Sequence, residues 1–323
     1  HRSHRKLLII DEATVLTGGR NIANDYFDLS DHYNFLDSDL EVTGPIVKAV
    51  LQSFDVYWNS RLATAPALDS EPNDEAARFV VAQAGDVALL ERLRAAGESY
   101  RQSHQAHQCQ DLRFVTDFPN QGEKSRNVFN AIVDELRRAK QEAVVESPYF
   151  VIKSGGYAVL EDLHKRGMRV RVLTNSLAST DASYAVAALY PRLGSLADTG
   201  LTLSAYGGAP LPSQSTNLRG GSPRWGVHSK RGVIDGETTL VGTYNIDPRS
   251  ANLNSELMLV CRGQKDLAAE VLTSIAAREA ASRKVIERGT IVQRSALLGS
   301  SPLTQRIRFL LEMPIANLFD FLL

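Results

Sequence analysis

The sequence predicts an α/β protein built from two pseudo-symmetric halves. Each half is expected to be a mainly parallel or mixed sheet flanked by helices, with the first half truncated on its N-terminal side. Three observations lead there. One polar cluster occurs twice in the same order, each copy sits on a pair of short apolar runs, and strand-like and helix-like segments alternate between the copies.

The repeat is in register. His4-x-Lys6 is followed by Asp11, Gly18 and Asn21, and His228-x-Lys230 by Asp235, Gly242 and Asn245. The differences 228−4, 230−6, 235−11, 242−18 and 245−21 all equal 224. A lone His-x-Lys says little, but five positions repeated at one offset imply one site made from two half-sites.

The elements follow from apolar periodicity and punctuation. Lys6–Ile10 and Ala13–Thr17 read as two strands turning at Asp11-Glu12, and Ser38–Thr43 as a third. Pro45 opens a helix that puts Val47, Val50, Leu51, Phe54 and Trp58 on one face. Residues 62–110 are polar and Ala-rich and form a partly helical bridge. Leu112–Thr116 reads as a strand, and Ser125 as the cap of a helix carrying Val128, Ile132 and Leu136. Ala143–Val151 (strand), Tyr157–Arg166 (helix), Val170–Thr174 (strand), Ala182–Leu196 (helix) and Leu201–Ala205 (strand) continue the alternation. Tyr206–Val227 is rich in Gly, Pro and Ser, holds Arg219, Arg224 and Trp225, and reads as a rim loop or lid. Arg231–Ile234 and Thr238–Gly242 repeat the hairpin around Asp235. Ser255–Cys261 is the next strand, and Leu267, Val271, Leu272 and Ile275 mark a helix. The tail is apolar and reads as a helix docked on the core or as a membrane-interface element.

These elements divide the chain into a first-half remnant (1–61), the bridge (62–110), a second half (111–285) and the apolar tail (286–323). Organised sequence runs for about 115 residues from Leu112 to His228, and nothing of the kind precedes His4. Roughly one hundred upstream residues are therefore expected in the native fold, without which open sheet edges are left.

Composition narrows the class. Of 323 residues, 43% are hydrophobic and 23% charged, ordinary for a globular protein, and the net charge is −1. That balance argues against a general nucleic-acid binder, and no nucleic-acid partner is expected. No run of about 18 apolar residues suits a transmembrane helix. Cys109 and Cys261 are read as two incidental or buried thiols. His104, His107 and Cys109 lie close in sequence, but no closed four-ligand spacing follows. No metal and no cofactor are expected.

The chemistry suited to the repeat is phosphodiester exchange. A neutral imidazole can attack phosphorus and form a phosphohistidine. A second imidazole can protonate the leaving alkoxide and later take the proton of the acceptor. Lysines and asparagines can bind the non-bridging oxygens. His4, His228, Lys6 and Lys230 are the catalytic candidates, and Asn21 and Asn245 the phosphate donors. Asp11 and Asp235, in hairpin turns, are assigned structural roles.

The doubled pattern resembles the signature of the phospholipase D superfamily. The stretches Gly18–Phe27, Asp39–Pro45, Ser147–Val151 and Asn245–Ser250 narrow the resemblance to bacterial cardiolipin synthases of the short type without transmembrane helices. The resemblance implies that a carboxylate of the same half orients each histidine. That role is assigned to Asp39, 35 residues after His4, and Glu256, 28 residues after His228, with the difference of seven read as an insertion in the Asn24–Asp37 segment. Thr243 fits the family pattern as a phosphate contact, whereas Gly19 stands at the matching position of the first copy and offers no hydroxyl. The activity implied is a phosphatidyltransferase making cardiolipin from phosphatidylglycerol through phosphohistidine, with His4 as nucleophile and His228 as acid and base. A hydrolytic phospholipase D and a phosphodiesterase nuclease are the alternatives. Tyr149, Phe150 and Trp225 are expected to wall the pocket against water. The partners are a phospholipid substrate and a membrane surface, with the protein peripheral on the bacterial inner membrane or cytoplasmic.

Overall fold

A computed structural model describes residues 2–64, 87–103, 105–118, 125–211 and 221–316. The first half contributes β1 (Arg2–Ser3), β2 (Leu7–Ile10), β3 (Thr14–Gly18), β4 (Tyr33–Leu36) and β5 (Asp39–Thr43). The second contributes β6 (Asp111–Thr116), β7 (Glu142–Glu146), β8 (Arg169–Asn175), β9 (Thr202–Tyr206), β10 (Arg224–Val227), β11 (Arg231–Ile234), β12 (Thr238–Gly242), β13 (Asn254–Ser255), β14 (Leu257–Arg262), β15 (Ser282–Glu287) and β16 (Thr290–Ile291).

Nine of these strands form one sheet in the order β16-β15-β9-β8-β7-β11-β12-β14-β6. The centre β7-β8-β9 is parallel, because the helices Ser154–Lys165 and Ser183–Leu189 serve as crossovers. The flanks are antiparallel, so the sheet is mixed rather than mainly parallel. Val172, Leu203, Leu163, Leu193 and Val285 pack into its main core at 1% exposure or less. The first half forms a smaller sheet, β2-β3-β5.

Two short parallel ribbons join the halves. Strand β1 pairs with β13, with Ser3 opposite Ser255, and β4 pairs with β10, with Leu36 opposite Val227. The second ribbon runs through the segment expected to be a rim loop. Arg224–Val227 is extended because it pairs along β4, and Trp225 at 1% exposure packs in a core with Leu36, Val227 and Leu173. Arg219 lies outside the described residues.

Other local expectations are corrected. The helix expected over Ala182–Leu196 is two helices, Ser183–Leu189 and Leu193–Ala197, separated by a 3-10 turn at Tyr190–Arg192. Pro191 cannot donate a backbone N–H and breaks the run. The Ser125 hydroxyl does not cap its helix but accepts from the Phe118 N–H, while Asp117 Oδ1 accepts from the Val128 N–H. The tail helix Leu303–Ala316 docks through Phe309, whose ring meets Tyr190 edge-on at 5.5 Å, and leaves Leu303, Ile307, Leu310, Leu311 and Ile315 exposed. The bridge contains the helix Val87–Ser103. No described helix is long and apolar enough to cross a membrane.

Cys109 and Cys261 are a disulfide, not two thiols. Antiparallel pairing of β6 with β14 sets Leu112 opposite Cys261, which brings Cys109 within 5.9 Å Cα to Cα. His107, instead of joining a metal cluster with Cys109, bonds Glu270 at 3.0 Å, and His104 is outside the described residues. A disulfide closing a loop of 152 residues limits the unfolded chain. Cys109→Ser should therefore lower the urea-unfolding free energy by about 2–4 kcal/mol. An unchanged midpoint and slope would show that the bridge contributes nothing.

Candidate active site

The two ribbons set the site. Past Ser3 and Ser255, the next residues in register are His4 and Glu256, and the His4 N–H donates to the Ser255 carbonyl at 2.9 Å. Past Leu36 and Val227, the next are Asp37 and His228, and the His228 N–H donates to the Leu36 carbonyl at 2.8 Å. Side chains at paired positions stand side by side. His4 Nδ1 thus lies 2.9 Å from Glu256 Oε2, and His228 Nδ1 lies 2.8 Å from Asp37 Oδ2. Each histidine is held by a carboxylate of the other half.

This corrects two assignments. Glu256 pairs with His4, not with the histidine of its own half. Asp39 is not a histidine partner at all; its Oδ2 takes Arg20 Nε at 2.6 Å. The register shows why. Gly18 faces Asp39, whereas its counterpart Gly242 faces Met258. Asp39 therefore matches Met258, and Asp37, two residues earlier, matches Glu256. The Ser-acid-Leu wording shared by Ser38–Leu40 and Ser255–Leu257 aligned the wrong acid.

The carboxylates are pinned differently. Glu256 accepts from Ser250 Oγ at 2.8 Å, Asn254 Nδ2 at 3.2 Å and the Thr243 hydroxyl. Thr243 is fully buried and spends its hydroxyl there, so it braces Glu256 and does not line the cleft. Gly19 is its counterpart, and a Cβ on Gly19 would lie 2.3 Å from Asp37 Oδ1 and 2.8 Å from the His228 carbonyl. The bare glycine makes room for the shorter acid.

Both histidines open on one cleft of about 250 Å³. Asn21, Asn245 and Tyr149 share its wall, and so do Tyr26, Asp181, Tyr184, Asp247, Arg2 and Arg249, which sequence reasoning missed. Asp247 and Arg249 stood inside the Asn245–Ser250 stretch, so that signal was present. Asn21 Nδ2 donates to the Tyr26 hydroxyl at 2.8 Å, and Asn245 Oδ1 is buried without a hydrogen-bond partner. Tyr149 donates to Asp181 at 3.0 Å. Phe150 and Trp225, expected as pocket walls, are core residues at 4% and 1% exposure, because each packs into an apolar cluster of the second half. The His228 ring packs against Phe35 at 4.8 Å and edge-on to Tyr26 at 5.0 Å.

The lysines lie behind the histidines. Lys6 Nζ donates to the His4 carbonyl at 3.0 Å. Lys230 Nζ sits 2.9 Å and 3.0 Å from the two ring nitrogens of His228 and donates to its carbonyl. Asp235 accepts the N–H groups of Lys140 and Gln141, both at 2.8 Å, and of Glu142 at 3.0 Å, which ties the β11 turn to the start of β7. Asp11 is exposed in the matching turn, with φ of 51° beside 52° at Asp235.

Electrostatics separate the groups. Burial, reinforced by Lys230, lowers His228 to about 4 against the pull of Asp37, which favours the neutral imidazole near pH 7. Burial pushes Asp37 up, but the His228 hydrogen bond and the charges of His228 and Lys230 outweigh it and hold the acid at about 2. Burial raises Asp247. Burial also lowers Lys6, and brings Lys230 down to about 7.

Residues 132–278 match the family described as cardiolipin synthase, PLD-like domain. Cardiolipin synthase C of Escherichia coli (strain K12) is 29% identical over 280 residues, covering 81% of this chain and 59% of that protein. The cardiolipin synthase of Listeria welshimeri is 25% identical over 258 residues, covering 80% of this chain and 44% of that protein. The crystal structure of phosphatidylserine synthase from Haemophilus influenzae Rd KW20 superposes with a TM-score of 0.66 at 15% identity, over 99% of this chain and 71% of that one. At that identity the likeness speaks for the fold alone. The fold is that of this phosphatidylserine synthase, and residues 132–278 are similar to the PLD-like domain of cardiolipin synthases. The chain spans about half of the curated relatives it matches.

Lys230 yields a pH prediction. Its folded pKa is depressed below the unfolded value of about 10.4. Between pH 7 and 10.4 the unfolded chain binds the proton that the folded chain gives up, so this group makes stability rise with pH. From pH 7 to 9 the gain is roughly 2 kcal/mol at about 1.4 kcal/mol per unit. Lys230→Met should lose that rise in urea unfolding; equal slopes in both proteins would refute the buried, depressed lysine.

Proposed function

We propose that the cleft transfers a phosphatidyl group between lipid alcohols, making cardiolipin from phosphatidylglycerol. The observation that carries this is the pair of histidines facing one cleft, each with Nδ1 occupied by a buried carboxylate. That leaves Nε2 of His4 as its chemically available nitrogen, while Nε2 of His228 shares Lys230 Nζ at 3.0 Å. His4 Nε2 attacks phosphorus as the P–O bond to glycerol breaks, and His228 delivers a proton to the departing oxygen. The bound phosphodiester anion favours the His228 imidazolium that this step needs. In the second step the hydroxyl of another phosphatidylglycerol loses its proton to His228, its oxygen attacks phosphorus and the P–N bond breaks. Lys6 and Lys230 balance the charge on the non-bridging oxygens, and Asn21 and Asn245 hydrogen-bond to them. Asp37, rather than Asp39, partners Glu256 in holding the rings. The work is done at a phospholipid surface, with the protein peripheral on the inner membrane.

A second reading is hydrolysis, favoured by one observation. The cleft wall carries Arg2, Asp181, Asp247 and Arg249, while Phe150 and Trp225 stay in the core, so the wall is more polar than a water-excluding pocket needs. Phosphatidylglycerol vesicles separate the two. Transfer yields cardiolipin and glycerol in comparable amounts, and dominant phosphatidic acid makes water the acceptor. In the same assay His4→Ala and His228→Ala should each cut turnover by at least about 10²-fold. Near-native turnover in either variant would overturn the single shared site.

A further inference from the structure

Beneath the His228 side of the cleft lies a charged cluster that no step above uses. Glu146, at the end of β7, is fully buried. Its Oε2 accepts from Arg231 Nε, and its Oε1 from Arg278 Nη1 at 2.8 Å. Arg278 lies near the end of the helix Lys265–Ala280, and both arginines are 6% exposed. Two buried cations thus share one buried anion. Such a cluster is costly to desolvate, and apolar side chains of similar volume would serve stability at least as well.

Arg278 also reaches the site. Arg278 Nη1 also donates to Ser229 Oγ at 2.8 Å, and Nη2 approaches the Asp37 carbonyl at 3.4 Å. The Ser229 hydroxyl in turn donates to the Leu36 carbonyl at 3.2 Å, which also takes the His228 N–H. One guanidinium from the second half therefore grips both sides of the His228–Asp37 pair: the residue after the histidine, and the main chain of the acid from the other half. A planar, five-donor fork can hold two such groups at a fixed separation, which an ammonium cannot.

We infer that Arg278, anchored by Glu146, is a positioning residue that locks Asp37 against His228 across the seam between the halves. The reactivity it serves rests on the proposed transfer, but the positioning does not.

The test uses the whole chain and two readouts. Arg278→Lys keeps a cation beside Glu146 and removes the fork; Ser229→Ala removes a single hydroxyl and decides the matter if the lysine variant fails to fold. The first readout is the downfield proton resonance of the His228 Nδ1–H, with that of His4 as internal reference. It should broaden or vanish in both variants while the His4 resonance stays. The second is turnover on phosphatidylglycerol vesicles, where kcat should fall about tenfold or more in Arg278→Lys with KM unchanged. Variants that fold with an unaltered His228 resonance and unaltered kcat would overturn the assignment, and so would equal loss of both histidine resonances, which marks general loosening. If the unmodified protein transfers no phosphatidyl group, the proposed activity fails, yet the resonance comparison still decides the role of Arg278.

Discussion

Everything at the cleft depends on the register of two short parallel ribbons. Strands β1 and β13 end together one residue before His4 and Glu256, and β4 and β10 end together one residue before Asp37 and His228. A parallel pair in register places corresponding side chains side by side, so backbone pairing sets the contact of imidazole with carboxylate. A slip of one residue would turn each side chain to the opposite face and separate both pairs. Because each ribbon takes one strand from each half, neither half alone can hold its own histidine.

The repeat is symmetric in sequence and asymmetric in environment. His228 and Lys230 are buried at 4% and 2% exposure, whereas the His4 side chain is 25% exposed. The acids differ too. Glu256 reaches His4 with Thr243 bracing it, while the shorter Asp37 reaches His228 past the bare Gly19. Positions 19 and 243 thus compensate for the length of the acid they face. Gly19 looks like a departure from pattern until Asp37 is seen against it.

Much of this was legible in the sequence because local periodicity carried it. The hairpins of both motifs, the β7-β8-β9 crossovers and the meeting of His4 with His228 follow from apolar runs and one constant offset. What was missed depended on contacts distant in sequence. Strands β4 and β10 are short and lack alternation, since each is extended only by pairing with the other, and a Gly/Pro/Ser-rich neighbourhood disguised β10. Asp37 was passed over because a three-residue word matched Asp39 to Glu256, whereas the ladders align Asp37 with it. Inside the loop between asparagine and acid, 37−21 is 16 and 256−245 is 11, so the insertion is five residues, not the seven that Asp39 implied. The disulfide was missed because Cys109 and Cys261 meet only once β6 pairs with β14. Phe150 and Trp225 were drawn to the cleft by their neighbours, but core packing claimed them.

The central claim is that the two halves exchange carboxylates. Double-mutant cycles on unfolding free energy test it most directly, since coupling energy appears only between groups that interact. The cycles pair His4→Ala and His228→Ala in turn with Glu256→Gln and Asp37→Asn. The crossed pairs, His4 with Glu256 and His228 with Asp37, should show coupling of about 0.5–3 kcal/mol, and the same-half pairs, His4 with Asp37 and His228 with Glu256, near zero. Coupling confined to the same-half pairs would contradict the account.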